Sequence, residues 1–91
     1  MTKFEELWEA TKSKLRLHPE KGEHELMYTR YHGGSQSIRT EAFVTERNGE
    51  LYLYKRSSYY DPASSSQKII NESNYMKMNT VKEAVQTLKS L

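Results

Sequence analysis

Apolar positions recur along this chain at two periods, and each period points to an element. Phe4, Leu7, Trp8, Thr11 and Leu15 share one face at helical spacing, and Thr2-Lys3-Phe4-Glu5 ahead of them is a capping-box pattern. Glu5, Glu6 and Glu9 precede Lys12, Lys14 and Arg16, the order that suits a helix dipole. Pro19 and Gly22 interrupt the pattern, so the predicted helix stops near Leu17. Thr80-Val81-Lys82-Glu83 repeats the capping-box signal, and Val81, Ala84, Val85, Leu88 and Leu91 form the stripe of a C-terminal helix.

Between these segments the period shortens to two. Asn48-Gly49 favours the positive φ values of a two-residue type I′ hairpin, and that turn sets the pairing around it. Arg47 should face Glu50, Thr45 Tyr52, Phe43 Tyr54, Glu41 Arg56 and Arg39 Ser58, all on one side of the sheet. The opposite side then carries Ile38, Thr40, Ala42, Val44, Leu51, Leu53 and Lys55, the apolar set expected to meet the helices. Gly33-Gly34 predicts a second tight hairpin, with His32 facing Ser35, Arg30 facing Ser37, Tyr28 facing Arg39 and Met27 facing Thr40. In this register Met27, Thr29 and Tyr31 join the core side, and Tyr28 and Arg30 join the face bearing Arg39, Phe43, Tyr52, Tyr54 and Arg56.

Residues 18–25 read as a charged loop, and Asp61 to Ser66 as a turn running into a flexible small-residue loop. Gln67-Lys68-Ile69-Ile70 can add a short fourth strand. The expected fold is a single α+β domain over residues 1–91. It has an N-terminal helix, a three-stranded antiparallel sheet (four with the short strand) and a C-terminal helix, with both helices on one sheet face.

Composition narrows the function classes. The 91 residues are 35% hydrophobic and 29% charged, and seven Tyr, two Phe and one Trp keep so polar a chain out of the disordered class. The absence of cysteine excludes disulfides, thiolate metal sites, iron-sulfur clusters and a thiol nucleophile. No apolar run reaches the roughly 18 residues of a membrane span, and the charged first segment is unlike a secretory signal, so a cytoplasmic location is expected. Asn71-Glu72-Ser73 then fits a glycosylation sequon by chance. The net charge of +2 is small, but four of the five arginines, Arg30, Arg39, Arg47 and Arg56, fall in the middle segment.

His18, Glu20, Glu23, His24 and Glu25 invite a metal reading, yet their spacing matches no structural zinc pattern, and a solvated charged loop is the simpler account. His32 beside Gly33, Gly34 and Ser35 lacks the third group and oxyanion site of a triad, and no phosphate or dinucleotide fingerprint is present. The expectation is a non-enzymatic module with no catalytic residues, no metal, no cofactor and no small-molecule substrate. The Tyr59-Tyr60-Asp61-Pro62 corner and the serines after it read as a connector or a contact loop.

The main candidate surface is the sheet face carrying Tyr28, Arg30, Arg39, Phe43, Tyr52, Tyr54 and Arg56. Aromatic rings stack on bases and guanidinium groups pair with phosphate, so the first expectation is binding to nucleic acid or a nucleoprotein. Tyr and Arg are equally at home in protein interfaces. The alternative is therefore a protein-binding adaptor or inhibitor, of the kind phage or mobile-element chains supply, with a homodimer as one form of it. The order helix, three strands, helix is similar to the topology of double-stranded RNA-binding domains. That family carries a lysine-rich motif at the start of its last helix, where this chain has Lys77, Thr80, Lys82 and Glu83. Resemblance to that family implies RNA as ligand, and the acidic Glu83 departs from its pattern.

Overall fold

A computed structural model describes residues 2–13, 17–32 and 38–91. The element order is α1 (Lys3–Thr11), β1 (His18–Lys21), β2 (Glu25–His32), β3 (Ile38–Arg47), β4 (Glu50–Asp61), β5 (Ser66–Glu72), β6 (Met76–Met78) and α2 (Val81–Lys89). The strands form one antiparallel sheet in the order β1-β2-β3-β4-β5, with β6 also paired to β4. The expectation of a three- or four-stranded sheet is thus corrected to six strands, and the resemblance to the RNA-binding topology does not extend to this sheet.

The two missed strands are the two shortest. His18 to Lys21 forms a short edge strand paired to β2, with the Gly22 amide bonded to the Glu25 carbonyl at 2.7 Å to close the turn. Three of its four residues are exposed, so no alternation marks it, and Pro19 is tolerated because an edge strand need not donate from every amide. Met76 to Met78 is only three residues long. The segment read as a flexible loop after Asp61 is instead a tight hairpin. Its Asp61 carboxylate accepts bonds from the Ala63 amide and the Ser64 hydroxyl, both at 3.0 Å, and this side-chain mimicry of a turn joins β4 to β5.

The N-cap half of both capping boxes forms, while the Glu83 carboxylate accepts from the Asn79 amide at 3.1 Å, one residue before the cap. Thr2 Oγ1 accepts from the Glu5 amide at 3.2 Å, and Thr80 Oγ1 accepts from the Glu83 amide at 3.1 Å. The first helix ends at Thr11, short of Leu17; Leu15 lies outside the described residues. One cluster makes the core, in which Phe4 and Leu7 of α1 and Ala84 and Leu88 of α2 close over Leu26, Tyr28, Ala42, Val44, Leu51, Leu53 and Met78. The helices cover only one end of a long sheet. The molecule measures 46 × 24 × 21 Å, and the core takes no residue from β5, six of whose seven residues are exposed.

The β3–β4 register is the one Asn48-Gly49 predicts, from Arg47 opposite Glu50 to Arg39 opposite Ser58. Asn48 at φ 52° and Gly49 at φ 78° have the backbone that a type I′ turn needs. The β2–β3 register differs. Tyr28 faces Ala42, Met27 faces Phe43 and Tyr31 faces Arg39. The Gly33-Gly34 turn lies outside the described residues; His32, expected to face Ser35, faces Ile38. Relative to the expected pairing the partner of Tyr28 moves from Arg39 to Ala42, an odd shift that exchanges the two faces of β2.

Candidate functional site

The face turned away from the helices collects Met27, Thr29 and Tyr31 from β2, Arg39, Glu41 and Phe43 from β3, and Tyr52, Tyr54 and Arg56 from β4, as the registers require. Of the seven expected site residues, five (Arg39, Phe43, Tyr52, Tyr54 and Arg56) come together here. Tyr28 and Arg30 do not, because the register shift sends both to the helix side. Tyr28 is fully buried there, and its hydroxyl lies 2.6 Å from Thr11 Oγ1. Burial pushes its phenol pKa up, against a smaller lowering by the Thr11 hydrogen bond. Arg30 donates to the Leu91 carbonyl beside the end of α2.

At the centre of the outer face stands Glu41, buried although it is a carboxylate on an open sheet. Arg56 Nε donates to its Oε1 at 3.1 Å, and Arg39 Nε lies 3.4 Å from the same oxygen. The Arg39 contact is electrostatic, since that Nε has no hydrogen-bond partner. Arg56 also lies over the Phe43 ring, 5.2 Å from its centre. From there an aromatic row continues. Phe43 and Tyr54 have centroids 5.9 Å apart, and Tyr54 and Tyr75 stack at 5.2 Å. Tyr54 donates its hydroxyl to Glu72, whose carboxylate raises the Tyr54 pKa first by that bond.

Five members of this surface escaped the sequence reading: Tyr75, Glu72, and the β2 residues Met27, Thr29 and Tyr31, which the expected register had placed in the core. Tyr75 sits between β5 and β6, where no period marks a face. Glu72 reaches the face because a bulge between β4 and β5 changes the register after Ser58. Tyr31, expected in the core, is 61% exposed and meets His18 edge-on at 5.6 Å. One signal could have found the β2 register: Leu26 is the branched aliphatic of that strand, and placing it in the core puts Tyr28 there too and Tyr31 outside.

The charges of this face are largely neutralised within it. Arg39 and Arg56 share Glu41, Glu72 stands across from Arg56 and accepts from the Tyr54 hydroxyl, and Lys77 and Lys3 reach Glu50 at 4.0 and 3.2 Å. Glu50 therefore pairs with these lysines instead of with Arg47 across the hairpin. Among the described residues no three of His, Asp and Glu gather as metal ligands, and no helix is long and apolar enough to cross a membrane.

Two depressions mark the other side of the molecule. One of about 430 Å³ lies past the end of α2, lined by Thr40, Lys55, Ser57, Asn71 and Ser90 among others. A second of about 520 Å³ lies beside α1, where Trp8 and Phe4 meet Glu5, Glu9, Glu23 and Glu46. No known protein family, curated protein or solved structure matches this chain.

Proposed function

We propose that the chain is a protein-binding module whose contact surface is the outer sheet face, centred on Phe43, Tyr54, Tyr75 and the Arg39–Glu41–Arg56 cluster. The observation that supports this reading over nucleic acid is the buried Glu41. A phosphate-binding arginine releases counterions when it meets nucleic acid, and that gain shrinks when the arginine already faces a carboxylate. Here both central arginines do so. Tyr54, one of the rings expected to stack on a base, is already stacked by Tyr75 and tied to Glu72. What remains outward is a neutral surface rich in Tyr and Arg on rigid strands, the composition that supplies hot spots at protein interfaces.

Two measurements test this. Labelled RNA and DNA titrated with the wild type at two salt concentrations should show no salt-sensitive binding; a steep loss of affinity with salt would restore the nucleic-acid reading. Capture from a lysate of the source cells should yield partners that a Tyr75→Ala, Arg56→Ala double variant loses. Identical partners for both chains would remove the outer face from the account.

A further inference from the structure

The strand β5 is the one long edge of this sheet, and its surroundings are unlike those of the opposite edge. At the other end β1 has only four residues and carries Pro19, which has no amide to offer. The seven residues of β5 bond to β4 on one side, and among the described residues no strand covers the other. Six of the seven are exposed, including the adjacent Ile69 and Ile70 at 54% and 55%. An exposed strand with consecutive β-branched apolar residues is a template for pairing with another chain.

The side-chain pattern identifies which chain. Gln67 faces Tyr60, Ile69 faces Ser58 and Glu72 faces Arg56, so these three share the outer side; Lys68 faces Tyr59 and Asn71 faces Ser57, on the helix side. Ile70 is the extra residue of the bulge. The order outer, helix, outer, bulge, helix, outer reads alike from either end about the midpoint of Ile69 and Ile70. In an unbulged strand a two-fold placed between two adjacent residues would set outer positions against helix-side positions. The bulge removes that mismatch.

We propose that β5 pairs antiparallel with β5 of a second copy of this chain, about a two-fold between Ile69 and Ile70. Gln67 then faces the second copy's Glu72, Lys68 its Asn71 and Ile69 its Ile70. Outer positions meet outer positions, helix-side positions meet helix-side positions, and no like charges oppose. The pairing is isologous and leaves outward only the short edges of β1 and of the three-residue β6, so it closes as a dimer with a twelve-stranded sheet. The outer face stays open on both copies, so this inference goes beyond the protein-binding reading and stands or falls separately from it.

Sedimentation equilibrium across a concentration series tests the association, and disulfide trapping tests its register. The wild type should show a concentration-dependent dimer, and Ile70→Lys should weaken it by at least about tenfold with an unchanged circular dichroism spectrum, since each copy would place an ammonium against Ile69 of the other. The Tyr75→Ala variant should dimerise like the wild type. The chain has no cysteine of its own, so Lys68→Cys and Asn71→Cys chains, mixed and oxidised, should form the mixed disulfide in preference to either homodisulfide. Opposed Cα atoms about 4.5–5.5 Å apart fall in the range a disulfide spans. A wild type that stays monomeric throughout the series would overturn the proposal, as would a dimer indifferent to Ile70→Lys or one lost in Tyr75→Ala. If Ile70→Lys failed to fold, the mixed disulfide alone would decide, and its absence would refute the register.

Discussion

Replacing Tyr28 by phenylalanine removes a single oxygen from the core, and the consequences can be worked from the hydrogen-bond donors. Thr11 Oγ1 lies 2.7 Å from the Leu7 carbonyl, which can only accept, so the one threonine proton goes there. The Tyr28 hydroxyl, 2.6 Å from the same Oγ1, must then be the donor. Tyr28→Phe leaves Thr11 still bonded to Leu7 and loses only the second bond, at a cost of about 1 kcal/mol. Thr11→Val is worse, because it leaves the phenol hydroxyl buried without an acceptor, at about 1–3 kcal/mol. In the Thr11→Val background, Tyr28→Phe should therefore be neutral or stabilising, giving a coupling of about 1–2 kcal/mol between two residues in contact. The assay is urea denaturation of the four chains, followed by fluorescence of the single tryptophan, Trp8, which packs on the core. The first variant should also melt about 4–8 °C lower per kcal/mol lost. A coupling below about 0.3 kcal/mol, the scatter expected of independent sites, would refute both this hydrogen bond and the face assigned to β2.

The same tyrosine gives an alkaline limb to stability. Its pKa is raised in the fold, so its contribution is present in full below the unfolded value of about 10 and is lost as pH rises from there through the folded pKa. Tyr28→Phe should flatten that limb in denaturation curves taken at increasing pH, and an unchanged limb would contradict the burial of the phenol. Gly49→Ala should destabilise by about 1–2 kcal/mol in thermal melts, because φ of 78° strains any residue with a Cβ although space around the site is open. A melt equal to the wild type would argue against the type I′ turn. Glu41→Ala should cost about 1–3 kcal/mol, less than for a fully buried ion pair because both arginines are about a third exposed and can turn to water. Added salt should narrow that difference by screening the two arginines left without their carboxylate; a variant as stable as the wild type at low salt would remove the cluster from the account.

The elements whose cause is local were legible in the chain. Asn48-Gly49 dictated its own turn, and a two-residue turn leaves no freedom in the pairing of the strands it joins, so β3 and β4 and five of the seven candidate residues followed from sequence. The two capping boxes likewise located both helix starts, since the bonds they make span only three residues. What the sequence could not decide was set by contacts remote along the chain. The β2 register depends on Leu26 and Tyr28 packing beneath α1, a preference stronger than the turn signal of two glycines. The edge strands β1 and β5 bury too little to carry a hydrophobic period, β6 is too short to show one, and all three exist because neighbouring strands offer them hydrogen bonds. The outer face is the clearest instance. Its arginines and tyrosines could be read from the alternation, but only the tertiary structure sinks Glu41 between Arg39 and Arg56 and brings Tyr75 and Glu72 onto Tyr54. Those neighbours change a basic stacking surface into a neutral aromatic one, because charge and ring exposure depend on what a side chain touches as well as on its type.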